Sequence, residues 1–298
     1  MNKLLFKIIR YLGLPFLFRE IIQKNKVTIL LFHDIKTDAT ARNFAYLMKH
    51  YNIIPLERFI DTATGKKKEI LPPKSLIITF DDGHIGNYKL LPIIKKFNIP
   101  ITIFLCAAVV GTNRHFWFKE SKNIENRSVL KKVSSIERRA ILRKIGFEQD
   151  KDYPEPHALS KEQIKEMRNY VNFQSHTLFH PFLPLCDNSE AKEEISFSKT
   201  KLENDFGLTI NAISYPNGDY GKREIKYAKE GGYVCGITVD YGCNTLDSDM
   251  FRLKRLSVND TENIDELIVK ASGVWAFFKT GNGRKNGYKS YEYRDINN

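Results

Sequence analysis

At 298 residues and 42% apolar, the chain is long enough to bury one large core, and it carries no internal repeat or low-complexity block. The formal charge of +12 points to an anionic partner, but no nucleic-acid-binding motif accompanies it, so nucleic acid is not an expected partner. Four cysteines without a Cys-x-x-Cys pair argue against a disulfide framework and for free thiols in a reducing compartment.

In chain order, residues 1–26 carry six Lys/Arg and one Glu. Lys3, Lys7 and Arg10 fall on one face of a helix, and Leu4, Leu5, Ile8, Ile9 and Leu12 fill the other; Pro15 suits the start of a second short helix. The longest uncharged run here, Tyr11–Phe18, is far short of the ~20 residues of a membrane span. No small-x-small cleavage site follows it. The pattern reads as a basic amphipathic anchor on an anionic membrane surface, with packing beneath the main domain as the alternative. From Val27 to Ser272, short β-branched runs alternate with helical patterns, which predicts α/β architecture. Strands are expected at Val27–Phe32, at Ser75–Thr79 and at Tyr170–Gln174. A helix-like stretch covers Asn87–Phe97, and Ser160 with Gln163 forms a capping box that opens a helix to about Asn169. Helices are expected over 189–206 and 219–230, each ending at a glycine, with a strand over 208–215 between them. Residues 112–160 read as a largely helical, basic insert over the mouth of the domain, and residues 273–298 as a polar C-terminal tail, Gly-rich from about Gly281.

Two motifs carry chemistry. Thr79-Phe80-Asp81-Asp82-Gly83 places adjacent carboxylates where a strand gives way to a turn, the end at which α/β folds collect catalytic groups. Such a pair can divide its work, one carboxylate binding a metal and one acting as a base; Asp-Asp-Gly is also plain turn chemistry. Ser175-His176-Thr177-Leu178-Phe179-His180-Pro181 follows another strand-like run. Histidines four apart share one face of a helical turn, and neutral imidazoles at that spacing suit zinc or a similar divalent ion. With one carboxylate they make a three-ligand site that leaves positions open. His50, His84, His115 and His157 have no partner at ligand spacing and receive no metal role.

The ordered pair of motifs resembles the polysaccharide deacetylase family, the NodB-homology or carbohydrate esterase 4 group, over roughly residues 27–272. The resemblance implies a distorted (β/α)7 barrel and metal-dependent removal of acyl groups from sugars. It implies Asp81 as base and Asp82, His176 and His180 as ligands of a divalent ion, zinc by expectation. The family's third motif usually carries an Arg before its Pro; here Ser214 occupies that place in Ser214-Tyr215-Pro216-Asn217-Gly218, which is similar to the form seen in biofilm exopolysaccharide deacetylases. The turn at Pro216 can aim the Asn217 backbone N–H at a developing oxyanion, with Tyr215 lining the site. Arg255, in a segment resembling the fourth motif, is expected to orient Asp81. No His follows His180, so the family's C-terminal acid is absent. His33, in a segment resembling the Tyr-His-Asp opening of the biofilm type, is the expected general acid.

These readings combine into a metal-dependent N-deacetylase of amino sugars in a polymeric or lipid-linked glycan made during surface-polysaccharide synthesis. Hydrolysis of O-acetyl or formyl groups, or a catalytically silent glycan- or lipid-binding barrel, are the alternatives. Without a signal or a span, the expected location is cytoplasmic, peripheral on the inner face of the membrane, with an extracytoplasmic one as the alternative.

Overall fold

The computed structural model describes residues 3–125 and 127–281. The chain opens with α1 (Lys3–Tyr11) and α2 (Leu14–Leu17), then β1 (Val27–Phe32), α3 (Thr37–His50), β2 (Asn52–Ile53), α4 (Leu56–Ala63) and β3 (Ser75–Phe80). Next come α5 (Leu91–Phe97), β4 (Ile101–Leu105), α6 (Trp117–Glu120), α7 (Ser135–Arg143), α8 (Lys161–Met167) and β5 (Val171–Ser175). It ends with α9 (Asn188–Phe206), β6 (Ala212–Ser214), α10 (Lys222–Glu230), β7 (Cys235–Tyr241), β8 (Leu253–Ser257), α11 (Ile264–Ala271) and α12 (Val274–Gly281). All ladders are parallel, in the order β1-β8-β7-β6-β5-β4-β3, and β3 returns to β1, so seven strands close a barrel; two-residue β2 hangs on β3 outside the ring. This is the distorted (β/α)7 architecture expected from the sequence.

β1, β3 and β4 read as nearly continuous apolar runs because both of their faces are covered. Every residue of β1 and β3 is buried, and the two pair in full register from Val27–Ser75 to Phe32–Phe80. Closure is uneven: β5 and β6 share only the Ser175–Ile213 pairing. Gln174 compensates there. Its Oε1 accepts from the N–H groups of Asn211 (2.9 Å) and Ala212 (2.8 Å), and its Nε2 donates to the Thr209 carbonyl (3.2 Å), so a buried side chain supplies bonds the ladder lacks. Helix ends follow the local signals. Ser160 and Gln163 make the capping box of α8, Asp187 caps α9, and Gly207 ends α9 at φ 61°.

The N-terminal helices pack on the outside of the barrel. Phe6 and Ile9 of α1 are buried against Val269 and Val274, and Arg10 pairs with Asp265. Leu4, Leu5, Ile8 and Leu12 remain exposed, so Ile9 turns inward, away from the other residues of the expected apolar face. No helix among the described residues is long and apolar enough to cross a membrane. The segment expected to open the tail forms α12 instead, and the tail beyond Gly281 lies outside the described residues.

Candidate active site

Both carboxylates leave the C-terminal end of β3. The Asp81 N–H continues the ladder to the Phe32 carbonyl (3.0 Å), and Asp82 then adopts a left-handed backbone (φ 73°). That reversal parts the neighbouring side chains. Gly83 follows at φ 75°, where a Cβ would stand 2.6 Å from Leu105 Cδ2, so glycine suits both the backbone and the space there. His176 leaves β5, with its N–H on the Leu105 carbonyl (2.8 Å). The expected helical turn from His176 to His180 is absent: Thr177 (φ 64°) and His180 (φ 59°) are left-handed, and a tight loop brings the two rings to a centroid separation of 4.8 Å. Non-glycine residues in this region of φ/ψ space cost on the order of 1–3 kcal/mol each, and here they gather at one place. The loop is held by Glu194 of α9, which accepts from the N–H groups of Leu178 (2.8 Å) and Phe179 (2.9 Å).

Asp82 Oδ1 lies 3.4 Å from His176 Nε2 and 3.5 Å from His180 Nε2, and the three ligand atoms sit within 4.8 Å of one another. His176 Nδ1 is 2.8 Å from the Ser214 carbonyl, so Nδ1–H donates there and the Nε2 lone pair faces inward. Asp82 Oδ1 is buried without a hydrogen-bond donor, an expensive state unless a cation satisfies it. Burial pushes His180 down to about 4 against the pull of Asp82, which keeps its ring neutral and able to ligate. Burial disfavours the Asp82 carboxylate, but the hydrogen bond from His84 outweighs it and holds its pKa well below the usual range. One carboxylate and two neutral imidazoles aimed at a common point fit a divalent ion of the zinc type.

Asp81 points the other way, into the barrel. Arg255 on β8, fully buried, donates from Nη1 to Oδ1 and from Nη2 to Oδ2, both at 2.8 Å. The same guanidinium reaches Ser214 Oγ (2.9 Å) and the Thr238 carbonyl (2.8 Å), and Ser214 Oγ is 3.2 Å from Asp81 Oδ2. Burial works against the Asp81 carboxylate, while Arg255 prevails and lowers its pKa. His33, following β1, donates its backbone N–H to Asp260 Oδ1 (2.7 Å) and sets Nδ1 3.5 Å from Oδ2. Burial lowers its pKa, but the Asp260 bond and the charges of Asp82 and Asp81 overcome this and raise it to about 9.

These groups border a cavity of about 1,210 Å³ that also meets Asn217, Val239, Tyr241 and the insert from Trp117 to Lys131. Asn217 takes a left-handed backbone (φ 56°) in the turn after Pro216. Tyr215 is a correction: it is fully buried, packs against Gly236 and donates to the Phe251 carbonyl (3.3 Å), so it belongs to the core rather than the site lining. His84, given no role from the sequence, is buried with Nε2 3.0 Å from Asp82 Oδ2. Its place two residues beyond Asp82 was the only available signal. His115 and His157 do meet, with rings stacked at 3.6 Å beside Glu120. Yet His157 Nδ1 accepts from the Phe116 N–H (3.3 Å), which leaves its proton on the Nε2 that faces Glu120. Glu120 is hydrogen-bonded to His115 Nδ1 (2.8 Å), and His157 Nε2 stands 3.7 Å from the same carboxylate oxygen.

With this geometry in place, the comparisons with known proteins identify the family. The polysaccharide deacetylase profile matches residues 68–236. The chain belongs to the polysaccharide deacetylase family. YxkH of Bacillus subtilis (strain 168), named only as a candidate polysaccharide deacetylase, is 26% identical over 78% of this chain and 72% of its own. A Staphylococcus epidermidis poly-β-1,6-N-acetyl-D-glucosamine N-deacetylase is 26% identical over 65% of this chain, and the match spans 58% of that relative. Among solved structures, the Streptococcus pyogenes deacetylase PplD superimposes with TM-score 0.61 at 20% identity, covering 83% of this chain and 99% of that one. IcaB from Ammonifex degensii gives 0.61 at 18%, covering 84% and 98%. At that identity the likeness establishes the fold. Family membership and the Asp82–His176–His180 cluster together support a metal-assisted deacetylase mechanism on a sugar substrate. The expected cytoplasmic location is overturned: the staphylococcal relatives are named for a polymeric N-acetylglucosamine, and such relatives favour a place outside the cytoplasm. Four unpaired cysteines, three of them buried, do not weigh against this, since a buried thiol acts as a small hydrophobe.

Proposed function

We propose that this chain hydrolyses the N-acetyl group of an amino sugar in a polymeric or lipid-linked glycan. The observation that carries the reading is the convergence of Asp82, His176 and His180 beside an Asp81 held ionised by Arg255. A divalent ion, zinc by its donor set, would be held by Asp82, His176 and His180 and would supply Lewis-acid polarisation of the acyl carbonyl and a lowered pKa for water. Asp81 takes the proton of the attacking water, its direction fixed by the two bonds from Arg255. The Asn217 N–H, at the rim of the cavity, donates to the oxyanion as it forms. His33, kept protonated by Asp260, gives its proton to the departing nitrogen. An amine leaves poorly until it is protonated, so a dedicated acid favours amide over ester cleavage. The deciding experiment measures stoichiometric divalent metal in the purified protein and follows, by mass spectrometry, what leaves a panel of N-acetyl, O-acetyl and formyl sugars. Metal-free protein, or Asp81→Asn with near-full activity, would sink the reading. Release from O-acyl or formyl sugars alone would move the assignment to that alternative, and a metal-loaded protein inert on all of them would mark a silent glycan-binding barrel.

An anionic lipid surface remains part of the proposal. Leu4, Ile8, Leu12, Phe16 and Ile21 are exposed on the N-terminal helices alongside Lys7. Full-length protein that ignores anionic vesicles at low salt would remove this part and leave the chemistry standing.

A further inference from the structure

We propose that the sugar taken by this cleft carries a phosphoester, bound by Lys119, Lys122 and Arg127 on the insert wall; this rests on the deacylase reading above.

The charge inventory of the cavity is lopsided. Its carboxylates are Asp81, Asp82 and Asp219. Asp81 is neutralised by Arg255, Asp82 faces the metal position, and Asp219 accepts from Asn217 Nδ2 (2.6 Å). All the lysines and arginines of the lining lie on the insert between Lys119 and Lys131. Among the described residues, Lys119, Lys122 and Arg127 make no ion pair with a carboxylate. The opposite wall, with Asn217, Tyr241, Ser257 and Asn259, offers hydroxyls and amides that suit sugar hydroxyls.

These cations are tied to the metal loop. Trp117 Nε1–H bonds the His180 carbonyl (2.9 Å), and the Phe118 ring lies 4.8 Å from the His180 ring. Arg127 Nη2 in turn donates to the Phe118 carbonyl (3.4 Å), which holds its guanidinium against the same segment. Lys119 is half-buried with Nζ 5.6 Å from the Phe116 ring centroid, which limits where its ammonium can point. Planar and point cations clustered beside one polar wall match the oxygens of a phosphoester.

Product chemistry points the same way. Deacetylation turns a neutral amide into an ammonium. A cationic wall repels a polymer whose neighbouring sugars are already deacetylated, whereas a phosphoester on the substrate offsets the new charge. The wall therefore selects an anionic glycan over a neutral or basic one.

The test uses the full-length, metal-loaded chain and three probes: a neutral N-acetylglucosamine disaccharide, the same disaccharide bearing a 1-phosphoester, and one bearing a uronic acid. Equilibrium binding is measured by calorimetry and turnover by acetate release. The expected result is a preference for the phosphoester over the neutral probe of roughly tenfold or more at low salt, eroded as salt rises. Lys119→Gln combined with Arg127→Gln should bring that ratio near one, and Lys119→Arg with Arg127→Lys should restore most of it. Equal binding of phosphoester and neutral probes overturns the proposal even if acetate is released from both. An equal gain from the uronic acid overturns the phosphate assignment. A phosphoester preference in binding with no turnover of any probe supports this subsite and defeats the N-deacetylase reading instead.

Discussion

Arg255 and Asp81, 174 residues apart in the chain, face each other through two parallel 2.8 Å hydrogen bonds in the barrel interior. Both side chains are almost wholly shielded from bulk solvent, so each charge depends chiefly on the other.

Arg255→Met should therefore harm both stability and chemistry. Stranding a buried carboxylate costs about 3–5 kcal/mol. Asp81 has a depressed pKa, so its stabilising contribution is present above the unfolded value and is lost as pH falls through the folded one. Without Arg255 the Asp81 pKa rises, and the acid limb of the kcat/KM profile should move to higher pH. Chemical denaturation at neutral pH, read alongside the pH–rate profile, checks both; an unmoved acid limb would remove Asp81 from the role of base.

For His33 the sign is opposite. Its pKa is raised to about 9, so its contribution to stability is complete below the unfolded value and fades as pH climbs through about 9. A bound divalent cation offsets the charge of Asp82, so the alkaline limb of the loaded enzyme should lie below that figure. Asp260→Asn should shift that limb further down, and His33→Gln should lower kcat by roughly 10²–10⁴ with metal content intact. Unchanged kinetics would assign the leaving-group proton to water.

His84 Nε2 lies 3.0 Å from Oδ2 of Asp82, the carboxylate of the candidate metal cluster. His84→Leu should weaken metal affinity by about 10–100-fold, as loss of a hydrogen-bonding partner to a ligand generally does. Competition with a chromophoric chelator measures this directly. His84→Gln, which can still donate to Oδ2, should recover part of the loss.

The readable parts of the site were those that local pattern determines. Asp81, Asp82, His176 and His33 each lie just past the end of a strand, and parallel strands of a barrel send their C-terminal ends to one face. Arg255 could be placed only through a motif resemblance, because its partner is distant in sequence. Tyr215 misled because an aromatic beside a Pro-Asn-Gly turn resembles a lining residue, whereas Gly236 leaves a space that draws the ring inward. Asp260 and Glu194 left no local signal, since one grips His33 from beyond β8 and the other holds the metal loop from α9. The histidine pair was read as helical on spacing alone; convergence was right, but left-handed residues rather than a helical turn produce it.

The narrow join between β5 and β6 yields a prediction independent of catalysis. Gln174→Leu removes the acceptor of two backbone N–H groups and should cost about 1–3 kcal/mol per group left unsatisfied. Urea denaturation should show the loss, and amide exchange at Asn211 and Ala212 should quicken before exchange in β1 and β3. Equal protection across all strands would mean that the single Ser175–Ile213 pairing suffices.

The bond from Trp117 to the His180 carbonyl has a consequence for how this scaffold can diversify. A loop that recognises glycans through its own side chains would be freely exchangeable, as loops on rigid barrels often are. Here the segment that borders the cavity also holds the backbone of His180, a member of the candidate metal cluster. Transplanting a foreign insert onto this barrel should disturb the metal centre unless an indole equivalent to Trp117 travels with it. Recipients that conserve the indole should keep their metal while acquiring the donor's taste in glycans, so the inheritable unit is the insert together with its anchor.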